Sequence, residues 1–262
     1  NTNLSIASGF NWYLKHVADC QVSWTGNQLN LPTPAPVPDS LIRQVSPYQH
    51  RNQGNVTAAC YTQAFWTWEK WEKEIDFMAL NGINQAVVVP GHQKVWQETL
   101  KRLGYSDADI AAYIPNLGHT CWWLFGNLEG EGGPLPQDVI EGEAELGRRI
   151  ADRMRDFGIE PIVYGYVGLV PNSFPNYFPA ATVIDQGQWL NYARPDVLSP
   201  LDPQFAPTAA IWYEELEAVY GPVKFLSGDL FHEGGNTGGL NLSAAAAAVQ
   251  AEMQAAIPGS IW

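Results

Sequence analysis

The feature that most constrains this chain is a rhythm of short apolar runs separated by amphipathic stretches. Asn84–Val89, Pro161–Val167 and Val223–Phe231 are dominated by Val, Ile, Leu and aromatic residues, as in strands buried on both faces. Tyr61–Trp66 is expected to be the first strand of the series, and Ile261-Trp262 the opening of a fifth. The stretches between them have the helical period. Trp68 to Leu80 sets Trp68, Trp71, Ile75, Met78 and Ala79 on one stripe, places Glu69 four residues before Lys73, and stops at Asn81-Gly82. Two shorter helical pieces follow Pro90-Gly91, up to about Tyr113. Gln137–Phe157 turns Ile140, Ala144, Ile150, Met154 and Phe157 inward and ends at Gly158; Asp202-Pro203 opens another helix to Tyr220, and Leu242–Ala256 is an Ala-rich one. Strands that alternate with helices imply a parallel sheet.

Two α/β architectures compete, a doubly wound open sheet and a (β/α)8 barrel. Neither G-x-G-x-x-G nor G-x-x-x-x-G-K follows any of the strands, which removes support from the nucleotide-binding version. Four strand–helix units and the start of a fifth are then expected to be the first half of a TIM-type barrel, with the remainder beyond Trp262. Upstream, residues 8–18 read as a helix with Phe10, Tyr13, Leu14 and Val17 on one face, and Cys20–Leu31 as a hairpin around Gly26-Asn27. The run Leu31 to Pro38 alternates with proline and suits neither helix nor inner strand. A boundary near residue 45 follows, with residues 46–262 forming the barrel portion.

Composition narrows the function. A formal charge of −13 excludes a nucleic-acid partner, because phosphates demand a basic face. The longest apolar stretch, Ala244–Val249, is too short for a membrane span. No leader opens the sequence, so a signal has been removed or the chain cut down, and its silence does not mean cytoplasm. Cys20, Cys60 and Cys121 are an odd number without metal-ligand spacing. A disulfide framework is not expected, and at least one thiol must stay unpaired. The histidines show no paired spacing either, so no metal is expected. Eleven Trp and eleven Tyr offer faces that pack on sugar rings, although most such rings serve the core.

Phe225-Leu-Ser-Gly-Asp-Leu-Phe-His-Glu-Gly-Gly235 is the most informative segment. It ends a strand in an acidic residue and glycines, which puts Glu233 at the carboxyl rim where a barrel keeps its site. A glycosidase needs two carboxylates there, one to protonate the leaving oxygen and one to attack or to activate water. The plain alternative is a rim carboxylate in a salt bridge.

The run Trp68-x-x-Trp-Glu-x-Glu-Ile-Asp-Phe-Met-Ala-Leu-Asn-Gly-Ile-Asn84 closely resembles the α-N-acetylglucosaminidases of glycoside hydrolase family 89. Phe125-Gly-Asn-Leu128 with Gly133-Pro-Leu-Pro136, Phe157-Gly158, Leu201-Asp-Pro-x-Phe205 and Phe231-His-Glu233 agree in the same order. The resemblance implies a small N-terminal α/β domain, of which residues 1–45 are the tail, then a (β/α)8 barrel and a C-terminal helical domain. It also implies exo-acting release of terminal α-linked N-acetylglucosamine with retention of configuration and no cofactor. The substrate is a glycosaminoglycan- or mucin-type glycan, and the compartment extracellular, periplasmic or lysosomal. By position Glu233 resembles the catalytic acid/base. Asn55, Tyr61, Trp122 and His232 resemble residues that contact the sugar. Asn55 also fits a turn residue or a glycosylation acceptor (Asn55-Val-Thr57), and beside Trp122 stands Trp123, one of the two being core. The nucleophile is expected on a late strand beyond residue 262, so the rest of the polypeptide is a required partner. The rivals are another hexosaminidase and a non-catalytic glycan-binding protein built on the same barrel.

The sequence departs from the family at three places. Thr57 stands where a cysteine is expected, His232 where asparagine often precedes the acid/base, and Leu169 where histidine is expected in Gly168-Leu-Val-Pro171. An imidazole still donates to a hydroxyl, but its charge varies near neutral pH.

Overall fold

The computed structural model describes residues 2–262. Helix α1 (Asn3–His16) starts where Thr2 accepts from the Ser5 amide, five residues earlier than residue 8. Strands β1 (Gln21–Ser23) and β2 (Gly26–Gln28) form the hairpin. Its tip is Trp24-Thr25 rather than Gly26-Asn27, since Ser23 pairs with Gly26 and its hydroxyl donates to the Gly26 carbonyl at 2.6 Å. The proline-rich stretch follows without regular structure.

A parallel sheet of four strands then organises the molecule. These are β3 (Asn52–Gln53), β4 (Gln85–Val87), β5 (Glu160–Tyr164) and β11 (Phe225–Ser227), in the order β11-β5-β4-β3. Ile261 bridges in parallel to Phe225, so a further strand begins beside β11. Helices α2 (Trp68–Leu80), α3 (His92–Arg102), α4 (Asp107–Tyr113), α5 (Thr120–Leu124) and α6 (Gln137–Phe157) lie between β3 and β5, while α8 (Phe205–Tyr220) precedes β11 and α9 (Leu242–Ala256) follows it. The helices pack on one another, α2 on α6, α6 on α3 and α8, and α8 on α9. Ile75, Val88, Leu100, Ile150, Val163 and Leu216 are fully buried at their centre. Burying such side chains stabilises by about 1.5–3 kcal/mol each. Helix α1 joins this core through Leu4, and Asn11 donates to the Leu80 carbonyl at 2.8 Å.

The fold is therefore α/β with a parallel sheet, and the described strands do not close into a barrel. The first strand differs from expectation. Tyr61–Trp66 is a set of turns, because Val56–Cys60 coils tightly after Asn55 and the amides of Gln63 and Trp66 bond back to Ala58 and Gln63. The strand is the polar pair Asn52-Gln53, aligned with Gln85 and Ala86. The other strands are shorter than their apolar runs, β5 ending at Tyr164 and β11 at Ser227. One disulfide is present, Cys60–Cys121, which leaves Cys20 buried as a free thiol.

After β5 the chain makes an excursion before α8. Strands β6 (Leu169–Val170), β7 (Val183–Ile184) and β10 (Asp196–Leu198) form an antiparallel sheet in the order β6-β10-β7, with the short helix α7 (Phe174–Tyr177) between β6 and β7. From it projects a hairpin of β8 (Gln188–Trp189) and β9 (Tyr192–Ala193). Among the described residues, no helix is long and apolar enough to cross a membrane.

Candidate active site

Glu233 lies six residues past the end of β11, in the loop at the carboxyl edge of the sheet. Its backbone is left-handed, with φ of 45°, a conformation that costs a non-glycine residue free energy and needs holding by its surroundings. Gly235 follows close against Gln186, and a Cβ there would collide with that side chain. The glutamate is thus clamped between the β11 loop and the excursion.

Two donors converge on one carboxylate oxygen. Trp189 Nε1 donates to Glu233 Oε2 at 2.7 Å and Asn127 Nδ2 at 3.2 Å. His232 approaches the other oxygen, with Nε2 3.8 Å from Oε1, while its Nδ1 bonds Asp229 Oδ2 at 2.9 Å. The His232 ring stacks on Phe125 with centroids 4.6 Å apart. The carboxyl group itself is half exposed. Both hydrogen bonds go to one oxygen, and the other accepts none among the described residues.

An aromatic wall continues from this group. Trp122 stacks on Trp189 at 5.1 Å with planes 25° apart, and Tyr61 meets Trp122 edge-on at 6.4 Å. Trp123, its neighbour on α5, is 1% exposed and belongs to the core, so Trp122 is the ring that faces the site. Asn127 is held there by the turn after α5. Gly126 is left-handed at φ 80°, and a Cβ on it would come within 2.8 Å of the Leu169 side chain. Leu169 is buried beneath that turn. The Leu for His departure is thus absorbed in packing.

Glu233, His232, Trp122 and Tyr61 are linked by these contacts, but Asn55 stands apart. Its Oδ1 accepts from the amide and hydroxyl of Thr57 at 3.0 and 2.6 Å. It lines a separate cleft of about 320 Å³, open mouth included, with Gln53, Trp71 and Glu74. The disulfide joins the Asn55–Tyr61 loop to α5, stapling the Tyr61 side of the wall to the Trp122 side. Thr57 occupies the expected cysteine position, and the link to α5 is made by Cys60.

Sequence reading missed Trp189 and Asn127. Asn127 lay within a quoted motif but had no role assigned. Trp189 sits in a hairpin whose turn holds Leu190 at φ 56°, a conformation for which leucine gives no signal. The pair Trp189 and Tyr192 around Leu190-Asn191 was the available clue.

Two further carboxyls, Glu129 two residues beyond Asn127 and Asp196 on β10, hold their protons tightly. Burial pushes Glu129 up to about 8, opposed by a bond from the Asn172 amide and aided by Asp196. Burial likewise raises Asp196 to about 6, with Asp185 adding to it.

Helices packed on a parallel sheet, with a carboxylate and its aromatic wall on loops at the carboxyl edge, define the α/β class that carries chemistry on that rim. Residues 51–262 match the family described as the alpha-N-acetylglucosaminidase (NAGLU) tim-barrel domain, and residues 1–38 the NAGLU N-terminal domain. The chain belongs to the α-N-acetylglucosaminidase family. It is 32% identical to human alpha-N-acetylglucosaminidase over 268 aligned positions, covering 100% of this chain and 36% of the human one. Among solved structures it resembles a family 89 glycoside hydrolase from Clostridium perfringens in complex with 2-acetamido-1,2-dideoxynojirmycin, with a TM-score of 0.96 and 36% identity. It is equally similar, at a TM-score of 0.96 and 35% identity, to a form of the Clostridium perfringens enzyme with two glutamates changed to glutamine, in complex with its substrate GlcNAc-α-1,4-galactose. Each match covers 100% of this chain and 30% of the other. The chain thus spans about a third of the length of these relatives.

Proposed function

We propose that the protein carrying this chain is an exo-acting, retaining α-N-acetylglucosaminidase in which Glu233 is the catalytic acid/base. The observation that carries this reading is the setting of Glu233. One oxygen is fixed by Trp189 and Asn127, and the other accepts no hydrogen bond among the described residues and has His232 Nε2 3.8 Å away. The carboxyl is half exposed, and Trp189 itself stacks on Trp122. In the first step the Glu233 carboxyl gives its proton to the glycosidic oxygen while a second carboxylate attacks the anomeric carbon. In the second step Glu233 takes a proton from the incoming water, which displaces that carboxylate. In this reading Asn55, Tyr61, Trp122 and His232 contact the sugar, Asn55 from the loop that also carries Tyr61. The β-sheet is the first half of a (β/α)8 barrel, residues 1–45 belong to the preceding α/β domain, and the remainder of the same polypeptide supplies the second carboxylate. The relative whose substrate complex carries two glutamate-to-glutamine changes supports a mechanism with two such groups. The Cys60–Cys121 disulfide supports an oxidising compartment, extracellular, periplasmic or lysosomal.

The test is hydrolysis of aryl α- and β-N-acetylglucosaminides by the full-length protein, with the configuration of the first-formed sugar followed by NMR. Turnover of the α substrate alone, with α-N-acetylglucosamine released first, is the expected result. β-Anomer released first would mean inversion. Preference for the β substrate would mean another hexosaminidase, and binding without turnover a non-catalytic glycan-binding protein.

A further inference from the structure

We propose that Arg194 is a positioning residue for the acid/base, a role that rests on the assignment of Glu233 made above. Arg194 is 2% exposed, yet its guanidinium bonds carbonyls rather than a carboxylate. Nη1 donates to the carbonyls of Gly126 at 3.1 Å and His232 at 2.9 Å, and Nη2 to the carbonyl of Glu233 at 2.8 Å. Burial acts against its charge, and the Glu233 carboxylate acts in its favour. A buried cation that lacks an ion-pair partner is costly to keep, so the arrangement calls for a reason beyond packing.

The three carbonyls supply that reason. Gly126 precedes Asn127, which donates to Glu233 Oε2. His232 and Glu233 are the two peptide units on either side of the left-handed residue. In a helical-type conformation, of either hand, successive carbonyls point to a common side, whereas in an extended chain they alternate. One planar fork therefore holds both while the Glu233 backbone stays helical-type rather than extended, and its rigid donors suit such a task. Arg194 also follows β9 directly, in the hairpin that carries Trp189. A single guanidinium thus locks together the three backbone segments that deliver the carboxylate and both of its hydrogen-bond donors. Lysine, with a compact ammonium, cannot span all three carbonyls in one plane.

The experiment compares Arg194→Met and Arg194→Lys with the unaltered full-length protein, using α-N-acetylglucosaminides with a good and a poor leaving group. In the first step a displaced proton donor harms only the substrate that needs the proton, whereas the second step is shared by both. Arg194→Met is expected to lower kcat/KM, which reports the first step, about 10–100-fold more for the poor leaving group than for the good one, within the range of general acid catalysis. Arg194→Lys is expected to fall between, and thermal melting confirms that both variants fold. Equal losses on both substrates, or a lowered melting temperature with an unchanged leaving-group ratio, would overturn the positioning role. Glu233→Gln is measured in parallel. If it too shows no leaving-group dependence, the acid reading falls and this inference with it, whereas dependence for Glu233→Gln alone rejects Arg194 only.

Discussion

The indole of Trp189 donates to Glu233 Oε2 at 2.7 Å across 44 residues of sequence, and the same ring stacks on Trp122. One side chain therefore both orients the carboxylate and extends the wall beside it. The coupling fixes the carboxyl plane relative to the stacked rings, so in the proposed function a sugar lying on the wall meets the carboxyl in one orientation. Fixing a proton donor against its acceptor is a large part of what a site of this kind contributes.

The two adjacent tryptophans of α5 separate binding from stability. Trp122→Ala is expected to raise KM for the glycoside while leaving the melting temperature within a few degrees, because the ring is only partly buried. Trp123→Ala removes a ring that is 1% exposed and is expected to cost about 3–5 kcal/mol of stability. Thermal unfolding of both variants, with steady-state kinetics of the first, checks the assignment. A large fall in melting temperature for Trp122→Ala would place that ring in the core.

The disulfide should be felt in both stability and binding. Cys60 and Cys121 are 61 residues apart, and closing so long a loop restricts the unfolded chain by up to about 4 kcal/mol on the chain-entropy account. The double change Cys60→Ser with Cys121→Ser is expected to lower the melting temperature and raise KM together, since Tyr61 and Trp122 are no longer tied. Unchanged KM beside a lowered melting temperature would show that the link serves stability alone.

Stability should fall as pH rises through the near-neutral range. Burial raises Glu129 to about 8, Glu143 to about 7 and Asp196 to about 6. Each holds its proton more tightly folded than unfolded. The folded state therefore binds more protons between the ordinary carboxyl value and these raised ones, and unfolding free energy decreases with pH across that window. For Glu129 the window runs from 4.5 to about 8. Melting temperatures measured from about pH 5 to about pH 8 are expected to decline, and Glu129→Gln to flatten the slope. A melting temperature that rises over this range, or an identical slope in Glu129→Gln, would contradict the buried-carboxyl account.

Much of this architecture was legible in residues 68–113, 137–164 and 205–256, where period and end signals agree, whereas the loop expected over Pro115–Pro136 contains the short helix α5. Helix Gln137–Phe157 ends at left-handed Gly158, and Leu242–Ala256 has the bounds its sequence indicates. The first strand was not legible, because Asn52-Gln53 is polar and its place comes from pairing with β4. The aromatic run beside it resembled a strand, yet its rings serve the turns and the site wall. Glu233, His232, Trp122 and Tyr61 were found through the family resemblance and are adjacent in space. Trp189 and Arg194 were not found, since the excursion that carries them has neither helical nor strand period and acts through a hairpin folded back over the β11 loop.

The central claim is that Glu233 supplies the leaving-group proton, and Glu233→Gln in the full-length protein tests it most directly. Glutamine keeps the shape and accepts the Trp189 and Asn127 bonds on its oxygen, but it has no carboxyl proton to give. The kcat/KM of an α-N-acetylglucosaminide with a poor leaving group, which reports the first step, is expected to fall about 10²–10⁴-fold. That of one with an activated aryl leaving group is expected to fall far less, because loss of the base function in the second step is common to both substrates. Equal losses on the two substrates would contradict the account.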